Sequence, residues 1–527
     1  MWTSALLLWV NLYATVLFGE WWQGDGELVQ LVAITRHGSR APNAVARELC
    51  PANEANRLAY NVPPGQLTES GMRQAYKLGV FIRKTYVESL SFLPPTLEDG
   101  RHEHFSSQFV SESATRCLQT AQAMAQGLFP NGTGPPGFPN QPVAVQSEQP
   151  PFANLLAAPQ GACLSKRKAD DKAFDESRGK AIIRNAGNLT DIVAEACGTS
   201  VKDYDSENVN GGQEGQVLAV KDMSDMLDFD EYQGLPRFPA MSNETHARYI
   251  ALAFTLLQER YYSNKKQVTY WAGDLPLTLF ENFDAASEQH SMGYKPERLF
   301  YSYHGHRELL FALAHLLGWK FDVPGMPTAL GMSSIPPATT MFLELHHHDH
   351  GTDTDTDPED NVTAHEFRPA SVTGHESAQG GRHGDEEHEN NYEYYIRTYT
   401  WTPLFGQKEV VLNVCSDAQP GKGCPLSTLK SAILDGVVNT GSWQDICHHV
   451  PFEEAEEMAK KIVYSEGDAT DATGQGGSTQ PPHLTSRLST VAVAVASTAV
   501  MLLIVLAAKG KCLSSGARRG EKWEILP

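Results

Sequence analysis

The run Glu27 to Thr35 (ELVQLVAIT) constrains this chain more than any other segment. Its aliphatic residues follow one another almost without interruption, which reads as a buried strand and therefore as the seed of a sheet. Thr68 to Tyr86 reads as a helix, with Thr68 as its cap and Met72, Ala75, Leu78, Gly79 and Ile82 on one face. Phe105 to Val110 is a second candidate strand, and Ala114 to Leu128 a helix that stops before Pro130. Arg298 to Tyr303 forms another short strand, followed by a Leu-rich helix that ends at Gly318. Met341 to Leu345 and Tyr394 to Trp401 read as two paired strands. Strands alternating with helices make the globular part α/β, a central mixed sheet flanked by helices. Residues from about 130 to 230 look irregular, rich in Gly, Pro and charge. They are assigned to a smaller, mostly helical cap lobe over about 130–260.

Two apolar segments set the expected topology. Residues 1–19 are uncharged and suit a signal peptide, although a basic n-region is missing; an uncleaved anchor is the alternative. Residues 488–508 carry no charge and match the roughly 20 residues that a bilayer core requires. Arg487 precedes them, and Lys509, Lys511, Arg518, Arg519 and Lys522 follow, which places the tail 509–527 in the cytoplasm. The expectation is a single-pass type I membrane protein. Residues 20–465 would face the lumen or the exterior, and 466–487, rich in Gly, Ser, Thr and Pro, would form a flexible stalk. A glycolipid-anchor signal is the runner-up, but it should end in its apolar run rather than in a charged tail.

The sequons at Asn131, Asn188, Asn243 and Asn361 agree with a lumenal exposure. Of the eight cysteines, all but Cys512 precede the span, and in an oxidising compartment these seven should mostly pair. Cys415 and Cys424 are close enough to close a small loop, and the odd count leaves one thiol over. The net charge of −21 speaks against nucleic-acid binding by the whole chain, but it leaves room for a local basic pocket.

Arg36, His37, Gly38 and Arg40 sit just past the carboxyl end of the first strand, where ligands bind in open α/β sheets. Guanidiniums present planar forks that match phosphate oxygens, and a neutral imidazole held beside a phosphate can attack phosphorus. Gly38 lets backbone approach the anion without a Cβ in the way. The run Arg36 to Pro42 (RHGSRAP) resembles the RHGxRxP signature of the histidine acid phosphatases. Gln66 to Gly71 is similar to that family's GQLTxxG segment. Ser111 to Ala121 resembles the segment that supplies its third phosphate-clamping arginine, here Arg116, and Pro336 to Leu345 resembles its late strand. The resemblance spans roughly residues 28–425 and implies a phosphoglycerate mutase-like sheet with a cap.

The family's second motif, a histidine followed by aspartate, is altered in the segment Tyr303 to Leu310 (YHGHRELL). Two registers are open. Taking His304 as the family histidine puts Gly305 in place of the aspartate and leaves the next helix out of step. Taking His306 keeps Leu310 four residues on, and this register is preferred. Arg307 then replaces the aspartate and Glu308 becomes the expected proton donor, which resembles the HAE arrangement of the multiple inositol polyphosphate phosphatases. The implied reaction is phosphomonoester hydrolysis with His37 as nucleophile and with Arg36, Arg40, Arg116 and His306 on the phosphate oxygens. An acid optimum is expected, because Glu308 would need a raised pKa to protonate the leaving oxygen. The reading from another class is a phosphatase-like ectodomain that has lost its acid and serves as a receptor for a phosphorylated ligand.

His346 to Asn391 holds eight of the chain's 19 histidines amid Asp, Glu and Gly, and it reads as a disordered loop rather than a metal site. The proposed chemistry needs no metal or cofactor. The last residues, Glu521 to Pro527 (EKWEILP), are similar to acidic dileucine signals read by clathrin adaptors, which points to the endosomal and lysosomal pathway. The remaining partners are the phosphomonoester, the membrane and, left open, a second copy of the chain.

Overall fold

The computed structural model describes residues 26–97, 106–148, 153–200, 215–238, 240–348, 393–415 and 423–448. The segments expected to form the signal peptide, stalk, membrane span and tail lie outside the described residues, as does the insertion from residue 349 to 392. Among the described residues no helix is long and apolar enough to cross a membrane.

The main-sheet strands in chain order are β1 (Glu27–Arg36), β2 (Ser107–Ser111), β3 (Val145–Ser147), β4 (Phe300–Gly305), β5 (Thr340–His348), β6 (Glu393–Thr402), β7 (Gly406–Glu409) and β8 (Cys424–Pro425). They form one mixed sheet in the order β8-β6-β5-β1-β4-β2-β3, with β7 paired to β6. One half, β1-β4-β2-β3, is parallel. The other half continues from β1 through β5 and β6 in antiparallel pairings. The expected α/β class with a mixed central sheet is what the chain adopts.

The helices used below are α1 (Glu69–Ile82), α2 (Thr115–Leu128), α3 (Leu164–Phe174), α4 (Leu189–Ala196), α5 (Gln216–Tyr232), α6 (Asn243–Tyr261), α7 (Leu275–Ser291) and α8 (Arg307–Leu317). Side chains of β1 alternate between two cores, as a pleated strand requires. Val32 and Ile34 pack with Phe283 of α7 and Leu310 and Phe311 of α8. Leu31 and Ala33 pack with Ala75, Leu78 and Ile82 of α1 and Met124 of α2. Leu31, Val32 and Ile34 are fully buried, each stabilising by about 2 kcal/mol. Burial on both faces is why the strand reads as an unbroken apolar run. Thr68 caps α1 by accepting from the Gly71 N–H at 3.2 Å. Met72, expected on the buried face of α1, is instead 39% exposed, one position round the helix from the contact stripe.

A third core lies among Leu189 and Val193 of α4, Val220, Met223 and Leu227 of α5, and Tyr249, Ile250 and Leu256 of α6. The stretch read as irregular therefore holds ordered helices, because these apolar residues recur at helical spacing between the charges. The Cys50–Cys197 disulfide ties the segment after β1 to the end of α4. Cys163–Cys447 and Cys415–Cys424 are the other described pairs, and Cys117 is a buried free thiol.

The histidine-rich segment begins differently from expectation. His346, His347 and His348 are strand residues of β5, paired with Tyr395, Tyr394 and Glu393 of β6. His346 finds a partner within the sheet, its Nε2 lying 2.9 Å from the fully buried carboxylate of Glu344 and its ring stacking on Tyr395. These contacts let a residue type that reads as loop extend a buried strand.

Candidate active site

The chain leaves β1 at Arg36 and is held on both sides. The Arg36 N–H donates to the Thr339 carbonyl at 2.9 Å, and the His37 N–H to the carbonyl of Gly305, at the end of β4, also at 2.9 Å. The Gly38 N–H donates to Thr120 Oγ1 of α2 at 3.1 Å, and the Ser39 N–H to Gln74 Oε1 of α1 at 2.9 Å. Gly38 also lies directly on the Gly71 backbone, where a Cβ on either residue would overlap a carbonyl. The sequence can place an imidazole here only because these two glycines let α1 approach the loop so closely.

His37 is buried, and its Nδ1 lies 2.8 Å from the Gly38 carbonyl oxygen. A carbonyl can only accept, so Nδ1 carries the proton and Nε2 keeps its lone pair. Burial, together with the charges of His306, Arg116, Arg36 and Arg40, holds the pKa of His37 well below its ordinary value, and the ring stays neutral. Across from it stands the ring of His306, with centroids 5.0 Å apart in an edge-to-face arrangement. His306 is the N-cap residue of α8, so the strand-to-helix turn after β4 aims it at His37.

The structure separates the two histidines of the altered motif. His304 is fully enclosed in the sheet, its Nε2 lying 2.8 Å from Ser302 Oγ, and burial lowers its pKa to about 3. His306 is the one beside His37. Its Nε2 faces the Glu112 carboxylate at 3.0 Å. Burial opposes its charging, but the Cys117 sulfur and Glu112 outweigh that and raise its pKa to about 10.

Arg36, Arg40 and Arg116 complete the cluster. Arg36 donates through Nη1 to the Ile335 carbonyl, while its buried Nε has no acceptor among the described residues. Arg116 brings Nη2 to 3.0 Å from His306 Nε2, and its Nε is likewise buried and unmatched. Unpaired buried donors beside crowded cations are costly, and they make a setting that an anion relieves. Glu112, Cys117 and His306 place ligand atoms within 4.8 Å of one another. The Arg116 guanidinium against the same His306 nitrogen makes that corner a poor fit for a metal cation.

Helix α5 contributes residues that sequence reasoning missed. Asp225 bridges Arg40 Nη2 at 3.2 Å, Arg307 Nη1 at 2.8 Å and Lys221 Nζ at 3.2 Å. The Phe229 ring lies 4.5 Å from the Arg40 guanidinium and 5.9 Å from that of Arg36. The available signal was the spacing Asp222, Asp225, Asp228 within DMSDMLDFDEY, which returns a carboxylate to one helix face at every turn.

Glu308 does not have the setting expected of a proton donor. Burial alone would raise its pKa, but Arg307, His306 and Lys221 outweigh burial and hold it at about 2. Its Oε1 lies 3.3 Å from Arg307 Nε. Arg307, which the preferred register puts in the place of the aspartate, is therefore the residue that keeps its neighbour ionised.

Fold and site together define a histidine phosphatase. Residues 27–356 match the histidine phosphatase superfamily (branch 2), and the chain belongs to that family. It is 34% identical over 142 residues to the testicular acid phosphatases of Mus musculus and Homo sapiens. That match covers 26% of this chain and 31% of each relative, so it spans about a third of their length. Hafnia alvei phytase, solved in complex with myo-inositol hexakis sulphate, shares the fold at a TM-score of 0.52 and 16% identity, over 81% of this chain and 99% of that one.

Proposed function

We propose that this protein is an acid phosphatase that hydrolyses phosphomonoesters through a phosphohistidine on His37. The observation that carries the reading is the Nδ1 contact to Gly38, which leaves Nε2 as a free nucleophile in the midst of four cations. Arg36, Arg40, Arg116 and protonated His306 would hold the phosphoryl oxygens, and donors of this kind are each worth about 10²–10³ in rate. Nε2 bonds to phosphorus as the bond to the ester oxygen breaks. Water then displaces the histidine and releases phosphate.

The reading extends to an enzyme anchored as a single-pass type I protein with a lumenal site, resting on residues 488–508 and the charges beyond them. Delivery to endosomes and lysosomes rests on Ile525 and Leu526, and alanine at both positions should shift the protein to the plasma membrane in microscopy. An unchanged distribution would remove the motif. Asp225 on Arg40 favours a second reading, a phospho-ligand receptor with its clamp already engaged.

Rapid-quench labelling of the full-length protein with a ³²P-phosphomonoester separates the two readings. The enzyme reading expects an acid-labile phosphoprotein with turnover, lost in His37→Ala. Label that accumulates without turnover, or no label at all, would favour the receptor.

A further inference from the structure

We propose that Asp228 of helix α5 is the residue that protonates the leaving oxygen, and that Glu308 acts only by positioning Arg307. The inference deepens the phosphatase reading and rests on it. Asp225, Asp228, Phe229 and Tyr232 follow one another at helical spacing and form one stripe of α5. Two members of that stripe are already fixed on the site, Asp225 on Arg40 and Arg307, and Phe229 beneath Arg40 and Arg36. Asp228 stands between them, within electrostatic reach of Arg36 from β1 and Arg307 from α8. Its carboxyl is half-buried and, unlike those of Asp222, Asp225 and Asp230 on the same helix, makes no hydrogen bond to another described residue.

The groups facing Asp228 decide its protonation. Burial comes first, and the negative charge of Asp225 adds to it along with that of Glu231. Arg307 and Arg36 oppose them, with Tyr232 also close by, and the balance raises the pKa to about 7. A carboxylic acid that keeps its proton up to neutrality can give it to an alkoxide, whereas Glu308 is ionised throughout the working range. In the first step Nε2 of His37 bonds to phosphorus, the P–O bond breaks, and the Asp228 proton passes to the departing oxygen to give the alcohol. In the second step water attacks phosphorus, the N–P bond breaks, and the water's proton returns to the Asp228 carboxylate. No proton or electron is left over.

The test compares kcat/KM for 4-nitrophenyl phosphate and ethyl phosphate in the full-length protein, in Asp228→Asn and in Glu308→Gln. Nitrophenolate leaves without a proton, while ethoxide needs one. Asp228→Asn should lose about 10²–10³-fold on ethyl phosphate and less than about tenfold on the nitrophenyl ester, with partial recovery in Asp228→Glu. Glu308→Gln should lower both substrates by the same factor. Equal losses in Asp228→Asn, or a leaving-group-selective loss in Glu308→Gln, would overturn the assignment. Should Asp228→Asn fail to fold, the parent protein still decides. Its ethyl-to-nitrophenyl ratio of kcat/KM should fall as pH rises past about 7, and a constant ratio there would overturn the proposal. A parent protein inactive on both substrates would instead sink the phosphatase reading itself.

Discussion

The floor and the roof of this site are built from different kinds of sequence. The floor comes from the carboxyl ends of β1 and β4 with the start of α2, and it supplies Arg36, His37, Arg40, Arg116 and His306. These groups are cations or a neutral imidazole, held by backbone hydrogen bonds on both sides of the β1 loop. The roof comes from one helix, α5, and it supplies carboxylates. Three of them lie within three turns, and each meets a different environment. Asp222 is buried against Lys221 and Asn43, Asp225 is shared by three cations, and Asp228 makes no hydrogen bond to another described residue. In the proposed mechanism the floor binds and attacks a phosphoryl group, but every cation in it is the wrong kind of group to donate a proton at neutral pH except His306. That residue is held charged by Glu112, and its pKa of about 10 makes it a weak acid. Under the proposed mechanism, binding and nucleophilic attack belong to the sheet, and proton transfer to the helix laid over it.

The largest effect should come from the floor. His37→Ala should lower kcat/KM by about 10⁵-fold or more, because no other group can form the covalent intermediate. Thermal unfolding of the variant should stay close to that of the parent, since the ring contributes one local hydrogen bond to Gly38 and an edge contact with His306. Activity within tenfold of the parent would break the comparison at its root, by making the floor a binding surface only.

The floor was largely legible in the sequence, and the roof was not. RHGSR at the end of an apolar run places five residues by chain continuity alone, and β1 alternates Leu31 and Ala33 against Val32 and Ile34 as a doubly covered strand does. Residues 215 to 232 misled because their charges point inward. Asp222 and Asp225 are buried against Lys221, Arg40 and Arg307, so a reading that equates charge with irregular surface chain overlooked the helix. The ionisation of Glu308 was hidden for a related reason. Its distance from His306 along the chain suggested reach, but ionisation depends on the Arg307 contact, which no spacing rule shows. His346 was taken for loop because its partner, Glu344, lies two residues back on the same face of the strand and is itself an unusual buried charge.

A smaller effect sharpens the contrast within the roof itself. Asp225 and Asp228 lie one turn apart, and they are shifted in opposite directions. Burial would raise Asp225, but Arg307, Lys221 and Arg40 hold it below the usual carboxylate range. Its contribution to stability is therefore present above the unfolded pKa of about 3.9, and it is lost as pH falls below that value. Asp225→Asn leaves Arg40, Arg307 and Lys221 without their shared charge and should cost about 3 kcal/mol at pH 7. That difference should shrink in melts recorded below pH about 4. Asp228 is raised, so the folded protein holds its proton better than the unfolded chain, and its ionisation lowers stability as pH climbs from about 4 to about 7. Asp228→Asn should remove that decline, with little change below pH about 4. Parallel pH profiles for the two variants would mean that the helix presents both carboxylates to the same surroundings.

The smallest expected effect concerns where the acid dependence comes from. Eight histidines between His346 and Asn391 offer a rival source, since imidazoles titrate between about pH 5 and 8. Three of the eight are already accounted for by pairing, because His346 to His348 belong to β5 and meet β6 at Tyr395, Tyr394 and Glu393. The sheet register is therefore set before the remaining residues of the insertion begin. Replacing residues 352–390 with a short Gly/Ser link keeps those pairs and shortens the connection, a change that loop-closure entropy tolerates within about 1–2 kcal/mol. The active cluster sits at the carboxyl end of β1, beyond Thr35, whereas His347 pairs with Glu27 at the other end of that strand. A strand of this length holds the two ends about 30 Å apart, roughly three Debye lengths at physiological salt. A loop whose flanking strand residues lie that far from the cluster should, when excised, leave kcat/KM within about twofold of the parent. The fall in ethyl phosphate hydrolysis above about pH 7 should remain, because it belongs to Asp228. If the excised protein lost that limb while Asp228→Asn kept it, proton transfer would have to be reassigned from the roof of the site to the far edge of the sheet.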